Sequence, residues 1–416
     1  MSKEKTILVH LPSYRDPELI PTIKDALQQA KYPERIHFGI CRQYHPDDKF
    51  DDLSEYKEDK RFKIYECLYD EAKGLPWARA IINERLLTDE DYICQLDSHH
   101  RFAPEWDKIL IEMHNGLEKK GYKPIIAGYS PLYDPFNDPE GRSMEPWQSQ
   151  FVCFYPHGTI FIRPGLLHGY QDMTEPPMSR FLCGHFDFAR SEWAREIKHD
   201  PDIYFSGEEI NLTVRSYTHG YDIFHPHKIV IWHSTMREER SGMLKWDDDA
   251  KLGVDWWGKQ EKARAKIRQL LRVEDNGFDL TGYDLGTART IEDYEVYAGV
   301  DFKTKLVQKY TIDNGYPPTP IDSPWIKSFY YLVTIYRREL PENDYLSILV
   351  AFDDENGIGI YSKNIEGQEL QNFLNNESPI HYEENFHYSG AEPVRMVAWA
   401  YSKERGWVER IEHKIN

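Results

Sequence analysis

Residues 91–99, Asp91-Tyr92-Ile93-Cys94-Gln95-Leu96-Asp97-Ser98-His99, decide how the rest of the chain is read. The run from Asp91 to Leu96 is short and largely apolar, as a buried strand requires. It delivers a carboxylate at Asp97 and an imidazole at His99. Residues two apart in an extended chain face the same side, so one oxygen and one nitrogen can reach a single cation. The pattern is short, and Asp97 capping a turn beside an ordinary loop histidine also describes it.

Working outward, Thr6 to Leu11 (TILVHL) is another buried strand, ended by Pro12-Ser13. Leu19 to Ala30 has helical spacing. Arg35 to Cys41 and Phe62 to Glu66 read as strands. A helix from about Trp77 to Leu87 follows Gly74-Leu75-Pro76, with Ala78, Ile81, Ile82 and Leu86 on one face. Pro104 to Leu117 is helical and Pro124 to Gly128 extended. Strands alternating with helices of this length predict an α/β fold with a mostly parallel central sheet, Rossmann-like in kind. Ligands of such sheets gather beyond the carboxyl ends of the strands. Arg15, Arg42 and Asp97 each follow a strand, so one sheet edge is expected to present all three to one ligand.

Residues 133–184 are rich in Pro, Gly and aromatics, with extended runs at 151–155 and 158–162, and suit an acceptor-binding region. Lys228 to Trp232 (KIVIW) is a strand that ends on His233. Glu261 to Leu271 is helical. Residues 1–315 are expected to form the catalytic domain, with 235–315 as a charged, turn-rich wrapping extension. Gly315-Tyr316-Pro317-Pro318-Thr319-Pro320 reads as a linker. Beyond it, runs at 329–336, 347–352, 359–362, 394–401 and 407–411 predict a small antiparallel β domain over 323–416, with a hairpin turn at Asp353 to Gly357.

Composition narrows the classes. The chain has 416 residues, enough for two or three domains, and 40% apolar with 14% aromatic residues suffices for real cores. A net charge of -19 argues against a nucleic-acid binder, although a cation and a few arginines can neutralise one diphosphate locally. Cys41, Cys67, Cys94, Cys153 and Cys183 are odd in number and lack a Cys-x-x-Cys pair, as reduced intracellular cysteines would be. With no signal-peptide core or membrane-length run, a cytoplasmic enzyme is expected, peripheral membrane contact being left open. The oligomeric state is not encoded legibly.

His233 supplies a third ligand to Asp97 and His99, with His219, His225 and His227 as competitors. Such a cation neutralises a leaving diphosphate, and histidine ligation favours Mn²⁺ over Mg²⁺. Arg15, Arg42 and Arg79 are candidates for diphosphate contact, ordinary ion pairs being the alternative for each, as for Arg101. Glu208 and Glu209 precede a helix over 210–217. They read as favourable helix-start acids, with one of them free to bind sugar hydroxyls or assist the acceptor. Asp187, with His185, is an acceptor-side candidate. Trp147 and Trp232 are platforms for a sugar face or core material.

ILVHLPSYRDPEL at 7–19, GLPWAR at 74–79, LDSHHRF at 96–102, SGEEINL at 206–212 and IWH at 231–233 together resemble the glycosyltransferase-A (GT-A) superfamily. More narrowly they resemble the GlcNAc-transferase family that includes the Skp1 hydroxyproline GlcNAc-transferase, and more distantly the polypeptide GalNAc-transferases. The resemblance spans about residues 5–310. It implies a metal on Asp97, His99 and His233, and a nucleotide bound by Pro12, Ser13, Tyr14, Arg79 and Ser98. It also implies Glu208 at the donor sugar and transfer of GlcNAc from UDP-GlcNAc with retention, to a protein or glycan hydroxyl. Ser206 and Glu209 depart from the Gly-Gly-Glu-Asn segment of the distant relatives, so contacts to the transferred sugar differ there. A metal-dependent hydrolase and a non-enzymatic carbohydrate-binding protein are the competing readings.

Overall fold

A computed structural model describes residues 5–235, 242–375 and 380–415. The expected wrapping extension therefore has its residues 236–241 outside the described part. The first half of the chain runs β1 (Ile7–Tyr14), α1 (Leu19–Gln29), β2 (Ile36–Tyr44), β3 (Phe62–Leu68), α2 (Leu75–Arg85), β4 (Tyr92–Leu96), β5 (His100–Phe102), α3 (Trp106–Glu118) and β6 (Pro124–Ala127). It continues through β7 (Trp147–Phe154), β8 (Ile160–Leu166), β9 (Phe186–Arg190), α4 (Ser191–Glu196), α5 (Glu208–Thr218), β10 (Asp222–Phe224) and β11 (Ile231–His233).

Seven of these strands form one sheet in the order β10-β6-β9-β4-β1-β2-β3. β1 pairs in parallel with β2 and β4, β2 with β3, and β10 with β6, whereas β9 runs antiparallel to both β4 and β6. The sheet is thus mixed and largely parallel. Alternation along β1 explains the layers. Ile7, Val9 and Leu11 pack with Leu19, Ile23 and Ala26 of α1 and Trp106, Leu110 and Met113 of α3, while Leu8 packs with Ala78, Ile81 and Ile82 of α2. A strand apolar on both faces needs helices on both faces, which is why its sequence is continuous rather than alternating.

Gly74 sets the entry to α2. Its φ of 125° lies in the left-handed half of the map, and an added Cβ would sit 2.4 Å from the Tyr204 carbonyl oxygen. Gly74→Ala is therefore expected to destabilise the protein by at least about 2 kcal/mol, read as a lowered urea midpoint at unchanged slope.

The chain then continues through α6 (Lys245–Lys251), α7 (Trp256–Leu270), α8 (Ile291–Ala298), β12 (Val300–Asp301), β13 (Leu306–Gln308) and α9 (Lys309–Ile312). Ile210 and Val214 of α5, Ile267 of α7, Tyr294 of α8 and the hairpin residues Phe151 and Phe154 share a second core. The 315–320 segment is tied down: Arg180 donates to the Gly315 carbonyl and to Thr319 Oγ1, and Thr319 N donates to Tyr297 O at 3.0 Å.

The last part holds β14 (Trp325–Ile335), β15 (Tyr345–Asp353), β16 (Gly359–Ile365), α10 (Gly367–Leu374), β17 (Ile380–Tyr388), β18 (Arg395–Ser402), β19 (Gly406–Trp407) and β20 (Ile411–Lys414). All its strand pairings are antiparallel, and the Asp353–Gly357 segment joins β15 to β16. Val333 and Ile335 of β14, Ile348 and Phe352 of β15, and Met396 and Ala398 of β18 build its own core. β13 pairs with β14, so the first sheet of this part is continuous with residues 300–308. Among the described residues no helix is long and apolar enough to cross a membrane.

Candidate metal and donor site

Asp97 leaves the carboxyl end of β4 at the middle of the sheet, and the chain turns at once into β5. β11 lies antiparallel to β5 with His233 opposite His100, and Ser234 N donates to His99 O at 3.1 Å. This short ribbon is what carries a histidine from far along the sequence to the Asp97 carboxylate. Asp97 Oδ2 lies 3.6 Å from His233 Nε2 and 3.9 Å from His99 Nε2, and one ligand atom from each of the three residues falls within 4.8 Å of the others. Bonds of roughly 2.1 Å to a shared ion place ligand atoms about 3–4 Å apart, and Asp97 Oδ2 stands at that spacing from each imidazole, as a shared divalent cation requires. His219, His225 and His227 do not join it; His219 Nδ1 lies 2.8 Å from Arg215 O near the end of α5, and the other two are buried elsewhere.

Two neighbours set the orientation of the triad. Fully buried Arg79 donates from Nη2 to Asp97 Oδ1 and from Nη1 to Glu208 Oε1, each at 2.8 Å, which leaves Asp97 Oδ2 facing the histidines. His99 Nδ1 lies 2.7 Å from Asp16 Oδ2. Burial pushes the Asp97 carboxyl up, but the close approach of His233 and the charges of Arg79, His99 and His233 outweigh it and hold the group well below the carboxylate range. His185 stacks on His233 with ring centroids 4.1 Å apart and accepts from Ser130 N at 3.1 Å.

Above the triad opens a cavity of about 220 Å³. Asp97, Ser98, His99 and His233 line it, together with Pro12, Tyr14 and Gln43 from the first two strands and Tyr204, Phe205, Lys245 and Trp246 from later in the chain. Of the expected nucleotide contacts, Pro12, Tyr14, Asp97 and Ser98 line it; Ser13 is buried beside it. The structure does not bring Arg15 and Arg42 to this cavity. Arg15 is held by Asp48 and Asp248 at 2.8 Å each, and Arg42, which lies inside β2, by Asp51 and Glu66 at 2.7 Å each. Carboxylates on nearby loops and on α6 have captured both guanidinium groups. Among the described residues, the Lys or Arg side chain that does line the cavity is Lys245, at the start of α6 and paired with Asp249. Nothing in its acidic surroundings, KWDDD, had marked it in the sequence.

Glu208 heads α5 but lies beneath the triad, paired with Arg79, and His199 Nδ1 sits 3.1 Å from its Oε1. Burial raises the Glu208 carboxyl, but the Arg79 charge and His199 outweigh that and lower it. His199 Nε2 meets Gln95 Oε1 at 2.7 Å, and Gln95 Nε2 donates to Asp187 Oδ2 at 2.8 Å. Asp187 therefore lies within the sheet, on β9, and not on the cavity wall. Burial, reinforced by Glu208 and Glu209, pushes its carboxyl well above the usual range against the pull of Arg79. Arg101 is occupied by Glu18 and Asp138, and Trp232 is buried, donating to Ser143 O at 2.8 Å; neither these two nor Trp147 lines the cavity.

Glu209 accepts from Gly184 N at 3.2 Å. Burial, with the neighbouring Glu208 charge adding to it, pushes its carboxyl up to about 7. The fold thus favours the protonated form: the associated stability is complete below the ordinary value of 4.5 and is lost as pH rises through about 7. Glu209→Gln keeps a carbonyl acceptor and is expected to gain stability relative to the parent across that window, checked by thermal unfolding at stepped pH.

A largely parallel sheet gathers a carboxylate and two imidazoles beside a cavity at its strand ends, a fold of the glycosyltransferase-A kind. The chain belongs to the Glycosyltransferase (GlcNAc) family, whose model matches residues 6–64 and 53–304. Among solved structures, a crystal structure of GalNAc-T7 with UDP, GalNAc and Mn²⁺ is similar in fold, with a TM-score of 0.53 and 13% identity, covering 100% of this chain and 73% of that one. TarS of S. aureus is a weaker match, at a TM-score of 0.38 and 10% identity over 99% of this chain and 86% of that one. No curated protein matches the chain significantly by sequence.

Proposed function

We propose that this protein transfers N-acetylglucosamine from UDP-GlcNAc to a hydroxyl group of a protein or glycan, with retention of anomeric configuration, as a Mn²⁺-dependent enzyme. The observation that carries the reading is the convergence of Asp97, His99 and His233 in the lining of the cavity. A divalent cation there would neutralise the charge of the departing diphosphate. UDP, GalNAc and Mn²⁺ accompany GalNAc-T7 in its crystal structure.

In this reading Pro12, Tyr14 and Gln43 border the nucleotide, Lys245 faces the phosphates, and Tyr204 and Phe205 exclude water from the sugar. Arg79 acts from below by fixing Asp97 and Glu208. Glu208, Glu209 and Asp187 support the floor rather than attack the sugar. Residues 1–315 constitute the catalytic unit, and residues 323–416 an accessory β unit that serves acceptor choice.

The reading is tested with the pure protein, Mn²⁺, a panel of UDP-sugars and candidate hydroxyl acceptors, followed by mass analysis of products. The expected result is Mn²⁺-dependent release of UDP, fastest with UDP-GlcNAc, and addition of one N-acetylhexosamine to an acceptor. Free sugar as the sole product, at equal rates with any acceptor, indicates a hydrolase. Absence of both UDP release and UDP-sugar binding overturns the reading.

A further inference from the structure

We propose that Asp16 is a positioning residue of the metal site: its carboxylate fixes His99 in the tautomer and ring orientation that aim Nε2 at Asp97 and His233. The inference rests on the reading of those three residues as metal ligands. Asp16 is only 1% exposed and sits in the turn between β1 and α1, far in sequence from His99. Its Oδ2 lies 2.7 Å from His99 Nδ1 and accepts from Ser98 Oγ at 2.5 Å. An ionised carboxylate only accepts, so the ring must donate from Nδ1 and keep its lone pair on Nε2, the atom on the cation side.

A purely structural role for Asp16 would be to shape the start of α1. It does that with the other oxygen, since Oδ1 accepts from Glu18 N at 3.0 Å. Oδ2 is thereby left to the 98–99 segment. The same helix grips that segment again: Thr22 Oγ1 donates to Ser98 O at 2.9 Å and accepts from His100 N at 2.9 Å. Arg15, immediately before Asp16, has a φ of 47°, an uncommon conformation for a residue with a side chain. Strain of this kind is retained where the surrounding structure holds it in place, and here it turns the chain so that Asp16 faces the ligand loop.

The test is Mn²⁺ affinity, measured by electron paramagnetic resonance of free against bound Mn²⁺, without nucleotide or turnover. The parent is compared with Asp16→Ala, Asp16→Asn and His99→Ala, each checked for a cooperative thermal transition. Loss of an outer partner of a ligating histidine is expected to weaken binding about 10- to 100-fold in Asp16→Ala, and several-fold in Asp16→Asn, which retains one neutral acceptor. Should the Ala variant not fold, the near-isosteric Asn variant decides. Parent-like affinity in the folded Asp16 variants, with His99→Ala weakened, overturns the role of Asp16 alone. No Mn²⁺ binding by the parent itself overturns the metal reading, and the role of Asp16 with it.

Discussion

Asp97→Asn is expected to lower Mn²⁺-dependent UDP release by about 10²- to 10⁴-fold, an effect of roughly 3–5 kcal/mol on the barrier. Asp97 is the anionic member of the triad, and its neighbours hold it ionised far below neutrality. An amide in its place offers a neutral oxygen to the cation and leaves the diphosphate charge less balanced. The substitution is mild for the fold, because Asn retains an acceptor for Arg79 Nη2, so thermal stability should move far less than activity. Titration with Mn²⁺ separates the two parts of the effect. An activity restored at saturating metal assigns Asp97 to affinity, and one that stays low assigns it to the reaction as well. A parent-like rate at limiting Mn²⁺ would remove Asp97 from the ligand set.

Arg79→Met is expected to be the most damaging single change for stability, on the order of 3–5 kcal/mol. The methionine fills the space but leaves Asp97 and Glu208 as neighbouring carboxylates without their shared cation. The size of the loss should depend on pH with a definite sign. Without Arg79 the buried carboxyls rise towards protonation, so the deficit is larger at pH 8 than at pH 5. Arg79→Lys keeps one charge but cannot span both acids with a fork, and is expected to recover stability more than activity. Urea unfolding of the three proteins at the two pH values checks this. A deficit below about 1 kcal/mol for Arg79→Met would mean that the pair of contacts is worth no more than a surface ion pair.

How much of this was legible in the sequence follows from what each segment buries. β1, β2 and β4 are continuous apolar runs because helices cover both faces, and such runs announce themselves. β9 does not: Asp187 is its second residue and Gly184 stands just ahead of it, and the polar side chain is met inside the sheet by Gln95 of the neighbouring strand. β17 and α10 lack such a run too, both being dense in polar residues. At the site, the grouping of Asp97, His99 and His233 was legible because Asp97 follows a strand directly, His99 stands two residues on, and His233 ends another strand. The placing of Arg15 and Arg42 was not, since a guanidinium is equally suited to phosphate and to carboxylate, and sequence does not reveal that Asp48, Asp51, Glu66 and Asp248 stand nearby. Asp16 and Lys245 were hidden inside charged stretches; the place of Asp16, two residues after the first strand, is the one signal the sequence offers for it.

The central element of the proposed function is a cation shared by Asp97, His99 and His233 next to a bound nucleotide. Anomalous diffraction from a crystal soaked with Mn²⁺ and UDP tests this directly. The predicted result is one manganese peak within bonding distance of Asp97 Oδ2, His99 Nε2 and His233 Nε2, with diphosphate oxygens completing its coordination. UDP seated in the cavity with no manganese at these three residues, or with manganese held elsewhere, would contradict it.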